Sequence, residues 1–174
     1  MREIESWYPK DFLLRQGQSL DAVVESLKKV QAELQTRLSD TGDDALYKPI
    51  AEGKWSLAEI ADHLVRANNL FSLALERIKE GLEPLVMPRG RVTDDGRAIS
   101  PDEEAPIAGR MRTALKDDLE ASFARLIKAA RQLEEIGKLE HICIHQSFFG
   151  PMTGLEAMRL MAWHPRHHLR QIPV

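Results

Sequence analysis

Apolar residues recur along most of this chain at intervals of three and four, the signature of helices that bury one face. The first stripe, Leu20, Val23, Val24, Leu27, Val30, Leu34 and Leu38, predicts a helix from about Gln18 to Ser39, closed by the turn formers of "SDTGDD". A second stripe, Ile60, Leu64, Ala67, Phe71, Ala74 and Ile78, belongs to a helix that opens at Ser56. Ser56 and Glu59 have capping-box spacing, in which hydroxyl and carboxylate satisfy orphan amides of the first turn, and Gly81 offers a left-handed stop. The third helix is predicted from Ile107 to Ile136, with Met111, Leu115, Leu119, Phe123, Leu126, Ile127, Ala130 and Leu133 turned inward and Gly137 at its end. A fourth opens at Thr153, where Thr153 and Glu156 repeat the capping-box spacing, and is expected to continue to Val174.

Periodicity fails in two places. From Leu82 to Pro106 the chain holds Pro84, Pro88, Pro101 and Pro106 together with Gly90 and Gly96, which predicts a long linker acting as a lid or insertion, with room for a short strand or a turn of helix. The stretch "KLEHICIHQSFFGPM" reads as an extended connector. Four helices and little strand signal predict an all-α fold, an up-and-down four-helix bundle with a long loop between helices 2 and 3. A length of 174 residues suits one domain spanning 1–174.

Composition narrows the function classes. With 43% hydrophobic and 29% charged residues the chain has an ordinary folded composition, and a net charge of −3 leaves no basic field to hold nucleic acid. No apolar run approaches the roughly 20 residues that cross a bilayer, so no membrane partner is expected. The start "MREIESWYPKDF" lacks the apolar core of a secretory signal, and Cys143, the sole cysteine, forms no internal disulfide; a cytoplasmic location is the expectation. No P-loop, glycine-rich dinucleotide turn or G-x-S-x-G occurs.

The candidate chemistry lies in "WHPRHHLRQI". Residues four apart on a helix project from the same face, and His164 and His168 share theirs with Ala157, Met161 and Ile172. Imidazole pairs of this kind grip zinc, nickel or iron, and a third ligand from another helix makes a usable open site. His63 lies about 60° from the middle of the second helix's apolar stripe and leans into the bundle, which makes it the candidate third ligand. The competing readings are a hydrogen-bonded core histidine at position 63 and a solvated cationic helix end at "HPRHH". His167 points about 100° away from His168 and should not join the pair. Pro165 removes an amide bond and crowds the carbonyl of Met161, so the pair stays aligned only if the helix bends there and does not end. Pro165 also stands where a zincin motif needs its glutamate. His141 and His145 flank Ile142, Cys143 and Ile144 in the extended connector and make poor ligands. Glu59 is placed to orient His63 and Gln171 to orient His168, whereas Trp7, Trp55 and Trp163 either line a pocket or fill the core.

"GKWSLAEIADHL" and "FFGPMTGLEAMRLMAWHPRHHLRQI" resemble the two signature regions of the DinB/YfiT-like superfamily of metalloenzymes. The first carries a tryptophan–serine helix start followed by a histidine. The second is similar to the family's glycine–threonine turn and its helix ending H-x-x-x-H-x-x-Q-(I/L). The likeness spans nearly the whole chain and implies a four-helix bundle, often a homodimer, holding a divalent metal (zinc, nickel or iron) on His63, His164 and His168. It further implies a small-molecule substrate and either a metal-dependent hydrolase or a transferase using a low-molecular-weight thiol such as bacillithiol or mycothiol. A non-catalytic bundle with a structural, sensory or lost metal is the alternative.

Overall fold

Ser19 accepts a hydrogen bond from the Ala22 amide and so starts α1, which runs Leu20–Asp40. In this computed structural model, which describes residues 1–172, a one-turn helix α2 (Asp43–Leu46) follows. Then comes α3 (Leu57–Lys79), opened by the capping box of Ser56 and Glu59 and followed by Gly81 at φ 76°. The next long helix, α4 (Arg112–Glu135), begins five residues later than the periodicity suggests. Ile107 and Arg110 are held as non-helical chain against Asp62 of α3, and Met111, expected inside, is 70% exposed. The last helix, α5 (Gly154–Leu169), has the second capping box at Thr153 and Glu156. It passes through Pro165 without ending, then turns at Arg170. The part of its expected run beyond Ile172 lies outside the described residues.

The bundle is not purely helical. Among the described residues, six short strands, β1 (Arg2–Glu3), β2 (Leu85–Val86), β3 (Arg91–Val92), β4 (Ala98–Ile99), β5 (Ile142–Gln146) and β6 (Gly150–Thr153), form two small sheets of order β1-β3-β4 and β2-β5-β6. The connector "ICIHQ" becomes β5 because Cys143, Ile144 and Gln146 are buried, and Gly150 at φ 68° reverses the chain into β6. The linker holds three strands and a 3-10 turn where the sequence left room for a single short strand or turn of helix; at two residues each the strands are too short to show a period of two.

Helix order around the bundle also departs from the expected sequential neighbours. The broadest packing joins α3 to α4 and α1 to α5, and α1 also lies on α4 and α3 on α5. The successive long helices α1 and α3, and likewise α4 and α5, touch least and stand across the diagonals. Short loops force successive helices to be neighbours; here Thr41–Ser56 and the β5–β6 hairpin give enough chain to cross the end of the bundle. The core between the helices is filled by Leu27, Leu34, Phe71, Leu75, Leu119 and Phe123, all at most 1% exposed. No helix among the described residues is long and apolar enough to cross a membrane.

Candidate metal centre

The α3 and α5 faces that meet inside the bundle bring His63, His164 and His168 together. Because α5 continues through Pro165, His164 and His168 keep their one-turn spacing, with ring centroids 4.8 Å apart. His63 enters from α3 at 4.8 Å from the His164 ring and 5.0 Å from the His168 ring. His63 and His168 are buried, and His164 is half-buried.

The nitrogens converge closely. Nε2 of His164 lies 3.0 Å from Nε2 of His63 and 3.0 Å from Nε2 of His168, and all three ligand atoms lie within 4.8 Å of one another. Around an ion holding imidazole nitrogens at about 2.0–2.1 Å, neighbouring nitrogens stand about 3 Å apart, so the two 3.0 Å separations fit.

Proton accounting tests the fit independently. Nδ1 of His63 lies 2.7 Å from the carbonyl oxygen of Glu104, which only accepts, so His63 carries its proton on Nδ1 and presents a lone pair at Nε2. For both 3.0 Å contacts to be hydrogen bonds, Nε2 of His164 would have to donate to His63 and accept from His168 at once. One ring nitrogen does not do both. At most one of the two contacts is a hydrogen bond, so at least one pair of nitrogens meets at 3.0 Å without a proton of its own between them, an arrangement that a cation relieves.

Charge state agrees. Burial pulls the His168 pKa down to about 3, with His63 and His167 adding to the fall and Gln171 opposing it. Burial also takes His164 well below the ordinary histidine value, helped by His63, His168 and His167. His63 is lowered by burial despite the opposing Glu104 carbonyl and the Asp62 charge. All three rings are neutral at pH 7, the form that binds metal.

The surrounding residues differ in part from the sequence expectations. Glu59 does not orient His63: its carboxylate accepts from the amide and hydroxyl of Ser56 at 2.8 and 2.9 Å, because the cap consumes it. The orienting group is the Glu104 carbonyl, at the end of a 3-10 turn (Asp102–Glu104) packed on α3. Sequence reasoning missed it, since a main-chain acceptor in a proline-rich linker has no residue signature. Gln171 donates its amide to Nε2 of His167 at 2.9 Å and lies beside His168 as well. His167 stays outside the cluster, stacked on Trp163 at 4.8 Å. Trp55 stands 4.8 Å from the His63 ring and walls the site, whereas Trp7 lies elsewhere under Arg89. His141, in the bend before β5, and His145, within β5, take no part.

Next to the cluster, Asp62 is a buried carboxylate that accepts from the Ile107 amide at 2.7 Å, Arg110 at 2.7 Å and Arg66 at 3.1 Å. Burial alone would raise its pKa, but these donors outweigh burial and hold it below the usual carboxylate range. Glu104 behaves oppositely: burial, then repulsion from Glu103, pushes its carboxyl up to about 7, and its Oε1 finds no partner among the described residues.

A helical bundle with three inward imidazoles on two facing helices defines the class of protein. The sequence model of the DinB superfamily matches residues 18–172, and the chain belongs to that family. Two relatives, each 25% identical, are both named "Putative metal-dependent hydrolase": one from Geobacillus kaustophilus, over 86% of this chain and 79% of its own, and one from Oceanobacillus iheyensis, over 90% and 86%. Among solved structures, YfiT from Bacillus subtilis, described as a probable metal-dependent hydrolase with an unusual four-helix bundle topology, is similar at a TM-score of 0.65 and 17% identity, covering 99% of this chain and 89% of that one.

Proposed function

We propose that this protein is a metal-dependent hydrolase whose divalent ion is held by His63, His164 and His168. The observation that carries the proposal is the convergence of three neutral imidazoles with no cysteine or carboxylate joining them among the described residues. A structural site is normally closed by a fourth protein ligand; three nitrogens with no fourth ligand among the described residues mark a catalytic one. An ion bound there supplies Lewis acidity and activates a water or thiol nucleophile near neutral pH. The protein's own part is to fix the ligands: the Glu104 carbonyl holds the His63 tautomer, the helical turn through Pro165 aligns His164 with His168, and Trp55 shields one flank from water. The names of the two relatives support the hydrolase reading.

A second reading, a transferase using a small thiol, is favoured by the lack of a carboxylate base in the cluster. Attack by water gains from such a base, whereas a deprotonated thiol needs none.

The test is metal content by mass spectrometry on untagged protein beside a His63→Ala, His164→Ala double variant. About one equivalent of zinc, nickel or iron in the parent and none in the variant is expected, followed by screening against esters, amides and thiol–electrophile pairs. A folded parent that takes up no metal on reconstitution rejects the proposal.

A further inference from the structure

A polar cleft of about 370 Å³ lies between α3 and α4, at the small end of the range for ligand pockets, and none of the three clustered histidines borders it. Asp62, Arg66 and Asn69 line it from α3, Asp118 and Arg125 from α4, and Arg110 from the segment before α4. Three guanidinium groups thus meet two carboxylates in one small space. Donors and acceptors do not balance there. Both Asp62 oxygens are taken, Oδ1 by Arg110 and Oδ2 by Arg66 and the Ile107 amide, and one Asp118 oxygen accepts from Arg110. Arg125 forks onto Glu76, which does not border the cleft, and its remaining terminal nitrogen reaches the Asn69 carbonyl oxygen. Arg66 is the exception: only its Nε is bonded, and both terminal nitrogens are without a partner among the described residues. Its side chain is 32% exposed, so a ligand can reach it. The Asn69 amide nitrogen is also without a partner among the described residues, its oxygen being spent on Arg125. An arginine does not shed its proton and has no acceptor, so these donors are satisfied only by water or by a ligand that accepts. Donors converging from two helices and a loop suit three or more oxygens set in a tetrahedron better than the two coplanar oxygens of a carboxylate.

We propose that this cleft is a second binding site, separate from the histidine cluster, for a phosphoryl group. The terminal nitrogens of Arg66 are its principal donors, with Arg110, Arg125 and the Asn69 amide around it. The site stands on its own geometry and does not depend on the metal centre.

The probes are inorganic phosphate and phenyl phosphate, the free and the esterified form of one group, with acetate as the planar comparison. Each is titrated at low ionic strength into the nitrogen-15-labelled protein, and binding is read from NMR shifts of the Arg66 Nε–H and the Asn69 side-chain amide. Saturation at a dissociation constant of about 1 mM is expected for phosphate, with acetate about tenfold weaker. Arg66→Met leaves Asp62 its Arg110 and Ile107 donors and should weaken phosphate about tenfold. Arg66→Lys keeps the charge without the fork and should weaken it by a smaller factor. His164→Ala should bind phosphate as the parent does. Tighter binding of the ester assigns the site to a phosphorylated organic molecule, tighter binding of inorganic phosphate to the free ion, and either supports the proposal. No saturable shift with either phosphate overturns it, as does acetate binding equally well. Arg66→Met that melts like the parent and still binds phosphate like the parent overturns it too. Loss of phosphate binding in His164→Ala would place the anion at the histidines and likewise reject the cleft.

Discussion

At His63 the two ring nitrogens have separate roles, Nδ1–H anchored on the Glu104 carbonyl and Nε2 turned to the cluster. The residue that supplies this carbonyl carries its own signature. Its carboxyl is 5% exposed, has an unpartnered Oε1 and is pushed up to about 7 by burial and then Glu103, against an ordinary 4.5. The folded protein therefore keeps a proton that the unfolded chain releases. Well below pH 4.5 both states carry this proton and the Glu104 contribution is fully present. As pH rises from there to about 7 the unfolded chain ionises first, so the Glu104 contribution falls by about 3 kcal/mol in total and then levels off. Because the buried histidines add stability as pH rises over the same range, the Glu104 contribution is read as a difference: in urea unfolding of metal-free protein, Glu104→Gln should gain about 2–3 kcal/mol more than the parent between pH 5 and pH 8. Parent and variant changing stability in parallel would show that Glu104 is ionised in the fold.

Among the elements, the stretch 102–111 supports the site through its backbone and was least legible. The helices announced themselves through apolar stripes and through the Ser56/Glu59 and Thr153/Glu156 boxes, because cap chemistry and period are local properties of neighbouring residues. His164 and His168 were legible for the same reason, and His63 from its place on a stripe. The linker contributes through backbone groups instead: the Glu104 carbonyl on His63, and the Ile107 amide and Arg110 on Asp62. Asp62 thus pins the segment that orients the neighbouring histidine. Asp62→Ala removes the acceptor for one amide and two guanidinium groups; because both arginine heads reach solvent, the expected cost is about 2 kcal/mol, less than for a fully buried pair. Released from Asp62, the segment should also weaken metal binding by about tenfold to a hundredfold through the slackened His63 contact. Hydrogen exchange at the Ile107 amide together with zinc titration checks both, and unchanged zinc affinity with a deprotected Ile107 amide would mean that Glu104 holds His63 without this anchor.

For the whole molecule, the cluster joins parts of the chain 101 residues apart, on two helices that are spatial neighbours though not successive. That adjacency could not be read from the sequence: each stripe states which face of a helix is buried, not which helix covers it, and long connections leave several ring orders open. The metal is consequently expected to act as a cross-link within the bundle as well as a chemical centre. An ion that binds the folded chain and not the unfolded one adds about 2.7 kcal/mol when present at a hundred times its dissociation constant. For a chain of 174 residues this should raise the melting temperature by roughly 5–10 °C, and more as zinc is increased. Thermal scans with added zinc, with chelator, and with His164→Ala at matched zinc separate the possibilities. Histidine 164 is half-buried and touches both other rings, so its replacement should abolish the zinc-dependent rise while leaving the metal-free fold close to the parent. A rise that persists in the variant would place the stabilising ion away from the three histidines.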